Sequence, residues 1–296
     1  MKKEIEDFIQ YIENVKSYSS HTIRNYKQDL NLFFIFCTEQ KMIKITQIDY
    51  SFLRKYLSYL YEKKYSKKTI SRTLSTLRSF FKYLMTEKKI EHNPMTLVSN
   101  PKLDKTLPKF LYYEQLEKIL KIPDLKTPLG QRDLLILEIL YSTGVRVGEL
   151  VNIQIKDINI HNQTIKILGK GNKERYVLFG SKLKKVLNLY LTDGRIKLLK
   201  RQTDYLILNH IGNAITDRGI RNIIQKIIQK GQLEYKISPH VFRHTFATHM
   251  LENGAELRCV QELLGHENLS TTEIYTHVTN ERLRNIYLNT HPRAKE

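Results

Sequence analysis

Residues Ser238–His277 read SPHVFRHTFATHMLENGAELRCVQELLGHENLSTTEIYTH, and the rest of the chain is interpreted outward from this stretch. Ser238 suits the N-cap of a helix, Pro239 its first turn and Gly254 its stop. A second helix near Glu256–Leu264 stops at Gly265 and leaves His266 at a loop edge. Thr271 and Thr272 then precede a short third helix carrying Tyr275. His240 and Arg243 lie three residues apart and share one helix face. His240 and His244 have the spacing of a zinc-binding helix. The residues between them are Val241, Phe242 and Arg243, so the glutamate base is missing and a cation occupies the face. Two imidazoles, a guanidinium and a phenol suit a phosphodiester better than a metal. The planar guanidinium fork matches two phosphate oxygens, and imidazoles can donate to the same group. A tyrosine oxygen becomes a covalent nucleophile once a neighbour accepts its proton.

The charge balance agrees with a polyanionic partner. The 296 residues carry 49 Lys and Arg against 30 Asp and Glu, a net +19. Residues 1–100 hold 18 basic and 10 acidic side chains and the remainder 31 and 20, so both halves are basic. A Lys-rich composition throughout is the plainer alternative. Cys37 and Cys259 sit in apolar helical patterns without a CxxC, which points to reduced thiols rather than a disulfide framework or zinc knuckle. The start MKKEIEDF lacks the apolar core of a signal peptide, and no apolar run is long enough to span a membrane. The expectation is a soluble, cytoplasmic protein with no membrane partner.

Residues 1–90 carry the periodicity of four amphipathic helices. Their stripes are Ile5, Phe8, Ile9, Ile12 and Val15; Ile23, Tyr26, Leu30, Phe33, Phe34 and Cys37; Phe52, Tyr56, Leu57 and Leu60; and Ile70, Leu77, Phe81 and Leu84. Ser20 is placed to cap the second helix and Ser66 precedes the fourth. The opposite face of the fourth helix carries Lys68, Arg72, Ser75, Ser79 and Lys82, about one turn apart and free of acidic residues within the helix. It reads either as a solvated face or as a phosphate-contacting one. Pro94, Pro101 and Pro108 then break the pattern, so residues 89–108 read as a linker between domains at 1–88 and 109–296.

The second domain opens with helices near Tyr113–Leu120 and Leu129–Ser142, the latter stopped by Gly144. Arg146 and Glu149 follow in STGVRVGEL; by themselves they make an ordinary i,i+3 ion pair. Alternation at Val151, Ile153 and Ile155, then Ile158 and Ile160, then Thr164, Ile165 and Ile167, then Tyr176–Leu178 predicts strands. TIKILGKGNKERYVLF forms a hairpin with Lys170 at its tip and Lys173 and Arg175 close by. A solvated turn lysine is the ordinary reading of Lys170. Helices resume at Ser181–Tyr190 and Arg218–Lys230, with TDYLILN extended between them. His244, His249 and His277 are assigned no chemistry. Leu283, Ile286, Tyr287 and Leu288 make a short, partly apolar C-terminal helix that needs a surface to pack on.

STGVRVGEL, LGKGNKER, HVFRHTFATHML and LLGHENLSTTEIYTHV, in that order, resemble the boxes of the tyrosine site-specific recombinases, the phage integrase family, and most resemble the bacterial Xer recombinases. The resemblance covers nearly the whole chain. It implies a mainly α fold with a small antiparallel β-sheet. An N-terminal four-helix, SAM-like core-binding domain would join a catalytic domain in a clamp around double-stranded DNA. It further implies that Tyr275 attacks the scissile phosphate to give a 3′-phosphotyrosyl link, while Arg146 and Arg243 clamp the nonbridging oxygens. His240 would assist proton transfer, His266 would hydrogen-bond the phosphate, and Lys170 would protonate the departing 5′ oxygen. Glu149 would orient Arg146, and Lys68, Arg72, Lys82 and Lys173 would contact the DNA backbone. No metal, ATP or other cofactor enters that reaction. The expected assembly is a tetramer on DNA, with itself or a related recombinase, in which the C-terminal tail docks on a neighbour. The expected role is resolving chromosome dimers at cell division, with a DNA translocase as a further partner. A mobile-element integrase would share these residues, and a type IB topoisomerase shares the chemistry but would relax supercoils without pairing sites. A non-catalytic DNA-binding regulator is the alternative from another class.

Overall fold

The computed structural model describes residues 1–296 apart from 17, 19, 103–109, 170–172, 235–236, 266–276 and 296; for 20–21 and 277–280 it describes the backbone alone. The chain divides into two compact units, Met1–Thr106 and Leu107–Glu296.

The first unit holds four helices: α1 (Lys2–Asn14), α2 (Ser20–Glu39), α3 (Tyr50–Glu62) and α4 (Lys67–Thr86). Their stripes meet in one core of Phe8, Ile12, Leu30, Phe33, Tyr56, Ile70, Leu77 and Phe81 with their neighbours. Each such side chain, once fully buried, stabilises the fold by roughly 1.5–3 kcal/mol. Caps set the helix starts. The Asp49 carboxylate accepts from Phe52 N at 2.7 Å and Ser66 Oγ accepts from Thr69 N at 3.2 Å. The cap expected from Ser20 lies outside the described side chains.

Three expectations change in this unit. Val15 lies beyond the last turn of α1 and is 67% exposed, whereas Phe36, outside the expected stripe, is buried. Part of the expected linker belongs to the core: Met95 and Val98 are buried there, and Arg78 Nη2 donates to Val98 O at 2.7 Å. The basic face of α4 also has an acidic neighbour. Asp29 of α2, 2% exposed, accepts from Arg72 Nη1 at 2.8 Å, Thr76 Oγ1 at 2.9 Å and Thr73 Oγ1 at 3.0 Å. Arg72 is therefore partly committed inside the unit, while Lys68 and Lys82 are exposed.

The second unit is built around α6 (Pro128–Thr143). Its LLILEIL run is apolar on every side and is buried on every side, as a central helix must be. Around it stand α5 (Tyr113–Leu120), a short α7 (Val147–Leu150), α8 (Ser181–Leu189), α9 (Arg195–Leu198), α10 (Asp217–Lys230), α11 (Pro239–Glu252), α12 (Leu257–Leu264) and α13 (His277–Thr290). α8 runs through a π-helical turn, Tyr190–Gly194, into α9.

A three-stranded antiparallel meander, β1 (Ile158–Asn159), β2 (Thr164–Leu168) and β3 (Glu174–Leu178), completes the unit. In its register Ile165 faces Val177 and Ile167 faces Arg175, and Ile165, Ile167 and Val177 are buried. The strand expected at Val151–Ile155 does not form. The chain there leaves α7 and enters a 3-10 turn at Ile155–Asp157, whose start is fixed by Gln154 N donating to Asp157 Oδ2 at 2.9 Å. Ile153 is buried there, but Ile155 is 39% exposed, so the alternation in sequence is not matched by alternate burial.

α13 packs on its own unit. Leu283 and Tyr287 are buried, and Tyr287 OH donates to Ser142 O at 3.0 Å. Beyond the helix, Arg293 pairs with the fully buried Glu138 of α6 and with Glu117 of α5. The sequence reading sent this tail to a neighbouring protomer; here its surface is supplied in cis. Removing the residues after Asn280 would strip a buried face and orphan Glu138.

Candidate active site

Two helices that end in glycine create the floor of the site. α6 stops at Gly144 (φ 60°) and α12 at Gly265 (φ 65°), both in the left-handed region that lets a helix end abruptly with free carbonyls. Arg243, in the second turn of α11, reaches both ends. Its Nη1 donates to Gly144 O at 2.5 Å and its Nη2 to Leu264 O at 2.8 Å. The C-terminal ends of helices favour a cation, so the half-buried guanidinium is fixed with no carboxylate, among the described residues, neutralising it directly. The fit is tight, since a Cβ at Gly144 would fall 2.6 Å from Leu264 Cδ2.

Arg146, two residues after Gly144, begins α7. Glu149 folds back over this start: Oε2 accepts from Arg146 N at 2.8 Å and Oε1 from Arg146 Nη1 at 2.9 Å. Arg175 of β3 then forks onto the same carboxylate, Nη1 to Oε1 and Nη2 to Oε2, both at 2.8 Å. Burial would raise the Glu149 carboxyl, but the bonds from Arg175 and from Arg146 outweigh it and hold the group below the usual carboxylate value. Burial first, and then the like charge of Arg146 and Arg175, pull the Arg243 guanidinium down to about 10. Three guanidiniums thus gather around one carboxylate. The net charge of this group is positive and Arg146 is 45% exposed, a combination chemically suited to an anion.

The structure brings Arg146, Glu149 and Arg243 together. His240 is exposed on the first turn of α11, on the face shared with Arg243. Ser238 occupies the N-cap position of α11 but makes no capping bond through its side chain, whereas Pro239 fills the first turn as expected. Lys173 is exposed at the base of the hairpin, where its carbonyl accepts from Gly169 N at 2.8 Å. Lys170, His266 and Tyr275 lie outside the described residues. His249 is a packing residue, its Nδ1 2.9 Å from the Tyr141 hydroxyl, and its ring is held below the usual histidine range by burial. Among the described residues, no three His, Cys, Asp or Glu side chains converge as metal ligands would, and no helix is long and apolar enough to cross a membrane. Sequence reasoning missed the part played by Arg175. Its signal was the strand alternation ERYVL, which puts an arginine in phase with the buried Val177.

A mostly helical unit that follows a four-helix unit has counterparts among known proteins. Residues 109–282 match the phage integrase family, and residues 5–88 match the phage integrase N-terminal SAM-like domain. The chain belongs to the phage integrase family and is a tyrosine recombinase, an enzyme of DNA strand transfer. It is 47% identical over 290 residues to tyrosine recombinase XerC of Anoxybacillus flavithermus, covering 97% of each chain. It is 46% identical over 297 residues to tyrosine recombinase XerC of Bacillus subtilis, covering 99% of this chain and 98% of the relative. Among solved structures, XerH site-specific recombinase bound to difH substrate in a pre-cleavage complex matches with a TM-score of 0.67. That match has 30% identity and covers 88% of this chain and 78% of the other.

Proposed function

We propose that this recombinase cuts and rejoins double-stranded DNA at a specific site, with Tyr275 as nucleophile and Arg146 and Arg243 as the phosphate clamp. The observation that carries this reading is the cluster of Arg146, Arg243 and Arg175 around Glu149, drawn from three separate chain segments and positively charged overall. In the proposed reaction the Tyr275 oxygen bonds to the scissile phosphorus as the bond to the 5′ oxygen breaks. The tyrosyl proton passes to a neighbouring base, a role for His240, and Lys170 supplies a proton to the departing oxygen. His266 hydrogen-bonds a nonbridging oxygen. The guanidiniums meet the charge that grows on the phosphoryl oxygens at the transition state. The ester energy is retained in the protein–DNA link, so the reverse attack by a 5′ hydroxyl rejoins the strands without ATP.

Lys68, Lys82, Lys173 and the exposed part of Arg72 serve as backbone contacts in this reading. Four protomers act on a pair of sites, and the cellular role is the resolution of chromosome dimers, with a translocase as a further partner. Near-full-length similarity to proteins named XerC supports that role over a mobile-element integrase. The test is covalent capture on a nicked suicide duplex. Wild-type protein is expected to form an adduct in the presence of chelator, while Tyr275→Phe binds the duplex and forms none. An undiminished adduct from Tyr275→Phe places the nucleophile elsewhere, and a strict magnesium requirement refutes the mechanism.

A further inference from the structure

Arg175 is an anomaly of the sheet. Its register partner is the buried Ile167, and the next residue but one is the buried Val177, so it occupies the inward phase of β3 at 14% exposure. An inward arginine is costly unless its donors are satisfied. Arg175 satisfies two of them on Glu149, and its Nε is buried with no acceptor among the described residues. It also supports the turn that leads to His266. A Cβ built on Gly265 would fall 2.7 Å from Arg175 Cδ and 2.8 Å from its Nε, so the turn rests directly on this side chain. One guanidinium therefore touches the Arg146–Glu149 box and the Gly265 turn, on the strand that leaves the Lys170 hairpin.

We propose that Arg175 is a positioning residue for strand transfer, one that neutralises Glu149 so that Glu149 can orient Arg146 without cancelling its charge. The inference rests on the phosphate-clamp reading above. The argument is a count of charge and contacts. Without Arg175, Glu149 and Arg146 are a neutral pair, and the cluster offers only Arg243 to an anion. With Arg175 forked onto both carboxylate oxygens, the trio carries a net positive charge. Arg146 is then held by one Nη1 bond and its own backbone N, and the exposed remainder of its guanidinium stays cationic. A lysine at 175 would restore the charge but not the two-point fork.

The test compares Arg175→Met, Arg175→Lys and the double variant Arg175→Met/Glu149→Gln with wild type. The DNA readout is the single-turnover rate of adduct formation on a nicked duplex that the chain itself has selected from a random-sequence pool. Arg175→Met should slow it roughly ten- to hundredfold, the range seen when a residue that orients a metal ligand is lost. Duplex affinity should stay within about threefold. Arg175→Lys should recover part of the rate. The double variant should outpace Arg175→Met, because removing the carboxylate charge restores the cationic field that Arg175 protected. A merely structural arginine predicts the opposite order, with the second substitution adding damage. The idea is overturned by a wild-type rate in Arg175→Met, or by a double variant no faster than it. If Arg175→Met does not fold, a wild-type rate in Arg175→Gln, which has no charge to neutralise Glu149, overturns it equally. A parallel readout needs no DNA: the rise in melting temperature with inorganic phosphate should shrink in Arg175→Met and return in the double variant. Failure of wild type to form any adduct refutes the recombination chemistry alone, whereas an unchanged phosphate response refutes the role of Arg175.

Discussion

Lowering the pH from 7 to 5 should loosen the chain through one residue, His291. It follows α13 at 4% exposure, its ring stacked on Tyr287 with centroids 4.9 Å apart and packed on Tyr141 and Phe246. Its Nδ1 accepts from Arg293 N at 3.1 Å, and its Nε2 has no partner among the described residues. Burial, chiefly, draws its pKa down to about 3, with the nearby His249 and Arg293 adding to the effect. The unfolded chain binds this proton near pH 6.5 and the folded chain near 3, so between those values the unfolded state holds more protons. The contribution is complete above about pH 6.5 and is lost as pH falls toward 3. At pH 5, some 1.5 units below the unfolded value, the loss is about 2 kcal/mol at ~1.4 kcal/mol per unit. Buried Glu138, its carboxyl raised by burial, titrates with the opposite sign, so the quantity to read is a difference between variants. Urea unfolding at pH 7 and pH 5, followed by tyrosine emission in a chain with 18 Tyr and no Trp, is the assay for wild type and His291→Phe. The variant keeps the aromatic packing and cannot take the proton, so its pH dependence should be smaller by about 2 kcal/mol. Equal pH dependence in the two proteins would refute the assignment.

Three further outcomes are expected. Arg293→Ala should cost roughly 3–5 kcal/mol, because it leaves Glu138 charged and unpaired in the core; Glu138→Gln in that background should recover part of it in the same urea titration. Lys170→Ala should slow cleavage of a normal strand but spare a 5′-bridging phosphorothiolate, whose sulfur leaves without a proton; equal damage on both substrates argues for a binding role of Lys170, or for Lys173 as the acid. Lys68→Ala with Lys82→Ala should reduce the slope of log affinity against log salt by about 0.9 per lost phosphate contact, and an unchanged slope returns that face to solvent.

What the sequence made legible was local. The stops at Gly144 and Gly265 could be read because a glycine after an apolar helix carries its own conformational reason. The Arg146–Glu149 pair was legible at a spacing of three. Partners distant in sequence were not. The α4 stripe looked free of acid because Asp29 lies 43 residues before Arg72, and Arg175 looked like a hairpin cation because Glu149 lies 26 residues before it. Val151, Ile153 and Ile155 misled for another reason. Alternation in sequence does not ensure alternate burial: Ile153 is buried, but Ile155, which opens the 3-10 turn, is 39% exposed. The tail was legible as an amphipathic helix in want of a surface, but periodicity does not say whose surface.

The same distinction explains why the site is held so firmly. Arg243 could have been fixed by a carboxylate, and the resulting pair would have had little charge left for a phosphate. It is fixed instead by the carbonyls of Gly144 and Leu264, where two helices end. Those dipoles orient the guanidinium and offset part of its burial without cancelling its charge. Among the described residues Glu149 is the carboxylate admitted, and it is shared between two arginines, so it too leaves a surplus. Burial first, and then the residual repulsion, depress the pKa of Arg243, which at about 10 is still a cation at neutral pH. In the proposed reaction a bound phosphoryl group would relieve that repulsion, most where its own negative charge is greatest, so the electrostatic work would be placed in the fold before the substrate arrives.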